Sequence, residues 1–529
     1  MDRKSLLIVL ALAAFFGAHP SVLADQQKWS DLIGEGEKAY REGRFKDAEQ
    51  SFRAALQECE SSKLDGKSLG VTLNDLALAM ESQKNDGEAE ALYRKALEAK
   101  EKATSSEDES LVAPLSNLAK LYYRQGKVQQ AEQLFVRAVA IIEKAKGAQS
   151  EALTPHLNVL AKIYSDRKEF PKAEQALSRI VTILEASKND LETAVALNNL
   201  AVVYREQEKY KAAEALYVKA LSLRERASGP NNPEVASSLT NLARVYREQG
   251  RFEEAQPLLE RALKIVESDA KSPEKNLIAA LSNLAMVLRE QGKLDEALPI
   301  CERVLQMREK SSATKPAEMI DTLTDMATIY DTKGEFEKAK QLLERALDLA
   351  KKSEGDKGLL VAFCLNNLKQ LYVNQGKLED AENFLNQAME IHKEVLGDSH
   401  SEVAKDLNDL AIIYRQGGSD DKAESKMHEA ITIAERNVST NPADLATDLN
   451  NLARLYREQG KYAEAESLYK RALELREKTF GADSPLVAAV LRNYARLLKD
   501  MGRAQDAIPL DRRARQIESA NEASQSQNQ

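Results

Sequence analysis

Cysteine, proline, glycine and aromatic residues are all scarce in this chain. Only Cys59, Cys301 and Cys364 occur in 529 residues, an odd number, far apart and with no CxxC or Cys/His grouping. That excludes a disulfide framework and a zinc knuckle, and the three read as small core residues. Thirteen prolines and 22 glycines leave long stretches uninterrupted, so the abundant Ala, Leu, Glu, Lys and Arg favour helices. One tryptophan and an aromatic fraction of 5% cannot anchor one large globular core. Alanine and leucine must carry the packing. The five histidines are scattered and form no metal or general-base cluster. Patterns of the GxxxxGK(S/T), GxGxxG, GxSxG and HExxH kinds are missing, so phosphate cradles, nucleophile elbows and zinc helices lack support. The 84 acidic residues form many carboxylate pairs, which in a helix-rich chain are solvated faces. No catalytic residue, metal site or cofactor is expected. A net charge of −9 also argues against a general nucleic-acid binder, since phosphate backbones are held by an excess of Lys and Arg.

What is present begins with a targeting segment over residues 1–24. Arg3 and Lys4 form a basic start, Ser5 to Phe16 an apolar run, and Val22-Leu23-Ala24 a small-residue cleavage site before Asp25. The apolar run is short of the ~20 residues that span a bilayer, and no later segment is apolar enough to insert. The expectation is an exported protein, periplasmic or secreted and bacterial, with no membrane insertion after cleavage.

Beyond the leader the chain repeats itself. A Leu-Ala step, or a close variant, recurs with its second residue at 77, 119, 161, 201, 243, 285, 327, 369, 411, 453 and 495, a 42-residue period with one step of 40. Gly36 marks a degenerate first copy, giving about twelve units between residues 25 and 518. Twelve positions after this reference residue stands an alanine in every unit, from Ala48 and Ala89 to Ala465 and Ala507, which predicts a helix crossing too close for a larger side chain. Seven residues later a second small position follows, as at Ala96, Ala220 and Ala472, on the same helical face. Three residues after the reference point most units carry tyrosine: Tyr122, Tyr164, Tyr204, Tyr246, Tyr330, Tyr372, Tyr414 and Tyr456. These rings are expected to fill the gap between paired helices. Turns such as Gln249-Gly250-Arg251 supply a left-handed cap, and Asn232-Pro233, Ser272-Pro273 and Ser484-Pro485 read as helix starts. Each unit is therefore helix, tight turn, helix, and the fold class is all-α.

Leu197-Asn198-Asn199-Leu200-Ala201, Tyr204, Tyr210, Ala213-Glu214-Ala215-Leu216-Tyr217 and Ala220-Leu221 resemble the tetratricopeptide repeat. Ordinary copies repeat at about 34 residues. The 42-residue spacing, with Gly229-Pro230-Asn231-Asn232-Pro233-Glu234-Val235-Ala236 and its counterparts at Gly397 and Gly481, is similar to the long-helix variety found in kinesin light chains. The resemblance implies a right-handed superhelical solenoid of about twelve antiparallel helix pairs that binds proteins or peptides and is not an enzyme. Nothing matches the coiled coil that joins kinesin light chains to their motor, so cargo transport is not inferred.

In such solenoids the first helix of each unit lines the concave, ligand-bearing wall. The core takes positions −1, 0 and +3 from the reference residue, which leaves −3, +1 and +4 for that wall. They read Asn198, Val202, Arg205; Thr240, Arg244, Arg247; and Ser282, Met286, Arg289. A neutral saddle follows at Thr324, Thr328, Asp331 and at Asn366, Gln370, Val373. The basic character then returns as Asn408, Ile412, Arg415; Asn450, Arg454, Arg457; and Arg492, Arg496, Lys499. Two arginine patches suit the carboxylates of an acidic peptide, with asparagine amides for its backbone. Acids beside many of the arginines, as in Arg247-Glu248 and Arg457-Glu458, leave open that they form ion pairs between repeats. Asparagines at −2, such as Asn117, Asn241, Asn451 and Asn493, are expected to tie neighbouring helices together. The last helix, with Arg512, Arg513 and Arg515, suits a water-facing cap, and residues 519–529 read as a disordered polar tail. The expected function is an exported interaction scaffold that binds peptide or protein segments. The alternative is a self-associating structural protein without a discrete ligand.

Overall fold

A computed structural model describes residues 20–269, 271–311, 314–438 and 442–526, with side chains from Ala24 to Ser519. Residues 1–19 of the expected leader lie outside the described residues. Every regular element is helical, and the described residues contain no strand. The chain divides into two compact units, residues 1–229 and 230–529.

Among the described residues the first unit holds five helix pairs. They are α1 (Pro20–Arg41) with α2 (Phe45–Ser61), α3 (Gly66–Ser82) with α4 (Asp86–Ala103), α5 (Val112–Arg124) with α6 (Val128–Lys146), α7 (Thr154–Asp166) with α8 (Phe170–Ala186), and α9 (Asp190–Glu206) with α10 (Tyr210–Ser228). The described residues of the second unit hold seven. They are α11 (Pro233–Glu248) with α12 (Phe252–Ser268), α13 (Glu274–Glu290) with α14 (Leu294–Lys310), α15 (Pro316–Thr332) with α16 (Phe336–Glu354), α17 (Leu359–Asn374) with α18 (Leu378–Leu396), α19 (Ser401–Gln416) with α20 (Asp420–Arg436), α21 (Pro442–Glu458) with α22 (Tyr462–Phe480), and α23 (Pro485–Asp500) with α24 (Ala504–Ser526). Within each unit every helix packs on the next, as a repeat stack requires.

The packing follows the sequence columns. All twelve alanines at +12 have 0% exposure, because each faces the crossing first helix. The small position seven residues on is buried too, by alanine or by Ile180 and Val304. Gly36 replaces the reference alanine because a β-carbon there would fall inside the Phe52 ring. The three cysteines are buried and unpaired, as expected of small core residues.

The intra-repeat turn needs a left-handed residue at +7. Nine units use glycine, with φ near that of Gly250 at 74° or Gly460 at 77°. Lys84, Lys168 and Glu208 adopt the same conformation at φ 63°, 57° and 58° with a β-carbon in place. Substituting Lys168→Gly should therefore raise stability by about 1 kcal/mol, since the left-handed strain outweighs glycine's extra unfolded-state freedom. A urea midpoint at or below that of the parent would refute this.

Three details depart from the expectations. Asn232 and Ser484 cap α11 and α23 through their side chains, but α13 begins at Glu274, with Pro273 as the extended residue before it. α24 runs to Ser526, past Ser519 where a disordered tail was expected, because Glu518, Ala520, Glu522 and Ala523 favour helix and no proline or glycine stops it. Of the basic residues of the last helix Arg512 and Arg515 are exposed, while Arg513 is half-buried and pairs with Glu477 at 2.5 Å.

Candidate functional site

First helices of neighbouring repeats touch one another directly, for example α3 with α5 and α15 with α17. Short amide contacts hold them together. Asn117 donates to Asn74 at 3.0 Å, Asn451 to Asn408 at 3.3 Å and Asn493 to Asn450 at 3.1 Å, each from position −2 of one unit to −3 of the unit before. At these three junctions the −2 asparagines tie first helices together as expected, whereas Asn367 donates to the Phe363 carbonyl of its own helix. Asn408 and Asn450, read from sequence as ligand contacts, share that ladder through their carbonyl oxygens.

Second helices are linked by longer arms. A basic residue at +18 reaches a glutamate at +24 of the preceding unit: Arg137 to Glu101 at 2.5 Å, Lys219 to Glu185 at 2.5 Å, Arg303 to Glu267 at 2.8 Å, Arg345 to Glu309 at 2.6 Å and Arg471 to Glu435 at 2.8 Å. Short ties on one side and long ones on the other make the first-helix face the inner face within each unit.

The repeat tyrosines do more than fill a gap. In four units the hydroxyl donates to a glutamate of the preceding unit: Tyr122 to Glu90 at 3.2 Å, Tyr204 to Glu174 at 2.8 Å, Tyr414 to Glu382 at 2.7 Å and Tyr456 to Glu424 at 2.9 Å. Each ring also lies under a cation, for example Lys127 over Tyr122 at 5.0 Å and Arg251 over Tyr246 at 4.2 Å. The glutamates' oxygens accept from lysine as well: Lys461 meets Glu424 at 2.8 Å.

The inner face carries the residues singled out from sequence. Arg205, almost buried, pairs with Glu206 at 2.5 Å, and Asn198 is partly buried beside it on α9. Arg244 is exposed and meets Glu248 at 3.2 Å. Arg247 lies against the Met286 sulfur with Glu290 at 3.9 Å, and Arg289 bonds Asp325 at 2.6 Å. Arg415 and Arg454 share Glu458 at 3.3 and 3.9 Å, and Arg457 lies 3.5 Å from Asp500. Arg496 is exposed and makes no ion pair among the described residues. Arg492 and Lys499 pair with Glu518 and Asp511 of the last helix. Burial, then the like charges of Arg415 and Arg457, hold the Arg454 guanidinium below its usual value.

Sequence reasoning placed the neutral saddle but missed its apolar part. Leu359 and Phe363 on α17 are 41% and 42% exposed. They stand at −10 and −6, and steps of four, three and four residues put them on one stripe with Asn366 and Gln370. The column rule needed only to be run further toward the helix N-terminus.

One junction between repeats is polar and buried. Position +23 of a second helix meets −5 of the next first helix: His392 Nδ1 and Asp406 lie 2.6 Å apart, both enclosed. The Asp406 hydrogen bond raises His392 above its ordinary value, against the opposing effect of burial. At the following junction the same two positions hold Ala434 and Asp448, and burial, helped by Asp444, pushes that carboxyl up to about 7. No group of three or more metal-ligating side chains occurs among the described residues. Among the described residues no helix is long and apolar enough to cross a membrane.

The solved structures to which the chain is similar include BtubC (BKLC) from P. vanneervenii, at 24% identity and a TM-score of 0.39, over 43% of this chain and 91% of that one. A kinesin light chain with nearly identical TPR-like repeats from Podosopora anserina is 22% identical, TM-score 0.34, over 39% and 97%. The apo quorum sensor NprR from B. thuringiensis is 17% identical, TM-score 0.44, over 69% and 99%. No curated protein matches the sequence. The tetratricopeptide repeat family matches residues 36–102, 110–186, 192–268, 276–352, 318–394, 360–436 and 444–518. With twelve helix pairs among the described residues and that match over most of its length, the chain belongs to the tetratricopeptide repeat family.

Proposed function

We propose that this chain, a protein-interaction scaffold as tetratricopeptide repeat proteins are in general, is exported and receives acidic segments of its partners along the inner face of its first helices. The observation that carries this is the inner stripe itself. Arg244, Gln370 and Arg496 at +1 are exposed, and so are Leu359 and Phe363 in the saddle. An apolar stretch between basic ones suits a chain segment with apolar contacts and flanking carboxylates. No residue role in chemistry is assigned, and the repeat family is typically a non-enzymatic scaffold. Export rests on the basic start, apolar run and Val22-Leu23-Ala24 of the leader.

Expressed at full length in a bacterium, the protein should be recovered from the periplasm beginning at Asp25, and a cytoplasmic product beginning at Met1 would dispose of export. Immobilised, it should retain proteins that Phe363→Glu and Arg454→Glu/Arg457→Glu variants lose. Equal retention by all three would remove the inner face as the binding surface. Light scattering that grows with concentration would favour the self-associating alternative instead.

A further inference from the structure

We infer that the cleft between α11 and α13 is a binding site for an N-acetylated amino sugar, with the acetyl methyl at its floor, the amide across its middle and the ring hydroxyls at its rim. This goes beyond the reading of the inner face as a receiver of acidic segments and stands without it.

The cleft encloses about 250 Å³. It opens because position −6, which holds Phe363, Lys405 and Thr447 in later units, is Ser237 on α11 and Ala279 on α13. None of the twelve described residues that line it is charged or aromatic, in a chain of which 30% is charged. It therefore offers no partner to an ionic ligand and no ring face to a flat one. Sites for drug-sized ligands run to ~300–1,000 Å³, so this one has room for a single sugar unit and little more.

Its polarity is layered. Ala262 and Val266 of α12 are buried and form an apolar floor. Thr240 on one wall and Asn283 on the other are half-buried, and Ser237 and Asn276 are exposed at the rim.

The middle layer lacks an amide that other junctions possess. Elsewhere the −2 asparagine donates to an amide at −3 of the unit before, as Asn493 does to Asn450. Here the −3 residue is Thr240, whose hydroxyl hydrogen is committed to the Ala236 carbonyl at 2.9 Å. Asn283 makes no hydrogen bond among the described residues. The walls thus present an amide donor on α13 and, on α11, a hydroxyl oxygen that can still accept. A trans secondary amide carries its carbonyl and its N–H on opposite sides, and spans such a gap: the carbonyl accepts from Asn283 and the N–H donates to Thr240 Oγ1. In an acetamido group a methyl lies beyond that amide, where the floor is apolar. On its other side an amino sugar carries hydroxyls, where Ser237 and Asn276 can bond them. A plain sugar lacks the first two features and a free amide the last.

The test is saturation-transfer NMR on the full chain, with free N-acetylglucosamine as the probe, titrated to half-saturation. The acetyl methyl should take up more saturation than any ring proton. Glucose, which lacks both amide and methyl, should bind about tenfold more weakly. Ala279→Phe fills the cleft with the residue that α17 carries exposed at the same position, so it should abolish the signal and leave the melting curve unchanged. Asn283→Ala, which removes no internal hydrogen bond, should weaken binding about threefold. A signal that survives Ala279→Phe, glucose that binds as well as the acetylated sugar, or saturation strongest on the ring overturns the site. Displacement by N-methylacetamide at equal concentration shows that the amide alone is read, and overturns the sugar assignment.

Discussion

Replacing His392 with alanine should cost the second unit about 3–5 kcal/mol, because it leaves the enclosed Asp406 carboxylate without its partner. The two side chains come from α18 and the following first helix, α19, so the loss falls on a contact between repeats. The register supplies the control. At the equivalent junction one place carries Val266 and the other Ala280, both buried, and the stack continues through them. His392→Val/Asp406→Ala should therefore recover most of the loss, since an apolar pair of fitting volume replaces a buried ionic one at little net cost. Urea unfolding followed by circular dichroism would decide the matter. A double variant as unstable as the single one would mean that the damage is a cavity and not a stranded charge. The pair also carries a pH dependence. His392 binds its proton more tightly folded than unfolded, so its stabilisation is complete below its ordinary unfolded value and is lost as pH rises through the raised folded one.

Asp448→Val should stabilise the same unit by about 2–4 kcal/mol at pH 8, with the gain shrinking as pH falls toward 4. Asp448 lies at the same junction position as Asp406 and is 5% exposed, and the position that holds His392 opposite Asp406 is alanine here, Ala434. Burial raises its carboxyl from 3.8 to about 7. A carboxyl that is harder to ionise when folded favours folding while protonated. That stability is full below the unfolded value and disappears as pH rises from about 4 through about 7. Valine is the residue that the next repeat places there, Val490, and it is buried. A pH-independent gain would show that the variant improves packing and has nothing to do with ionisation.

These two junctions also mark the boundary of what the sequence alone discloses. The reference step, the twelve alanines at +12 and the eight tyrosines at +3 are single columns, and a column repeated through most of the units declares its place in the packing without any neighbour being known. The turn was legible for the same reason, except where Lys84, Lys168 and Glu208 occupy a glycine's conformation. The ladders were harder. Arg303 with Glu267, or Asn451 with Asn408, joins two different columns in consecutive units, and nothing within one unit says which columns meet across the boundary. The signal was there in the alternation of basic +18 with acidic +24, but the geometry of stacking was needed to couple them. The inner-face arginines were found, yet their state was not. Arg289 is bonded to Asp325 and Arg496 is left open, a difference that depends on helix offset and not on composition. Leu359 and Phe363 were passed over because their stripe begins two turns earlier than the columns considered.

The two kinds of tie between neighbouring repeats answer to different variables. Amide pairs such as Asn493 with Asn450 are uncharged and partly enclosed, whereas the arms between second helices, such as Arg345 with Glu309, are charged and open to solvent. Dissolved salt screens the second and scarcely touches the first. Within each unit the inner edge keeps its uncharged amide pairs at any ionic strength, while its ion pairs, such as Arg289 with Asp325, loosen together with the charged arms of the outer edge. Ionic strength thus becomes a mechanical control on how readily adjacent repeats splay, with the amide pairs as the part it does not reach.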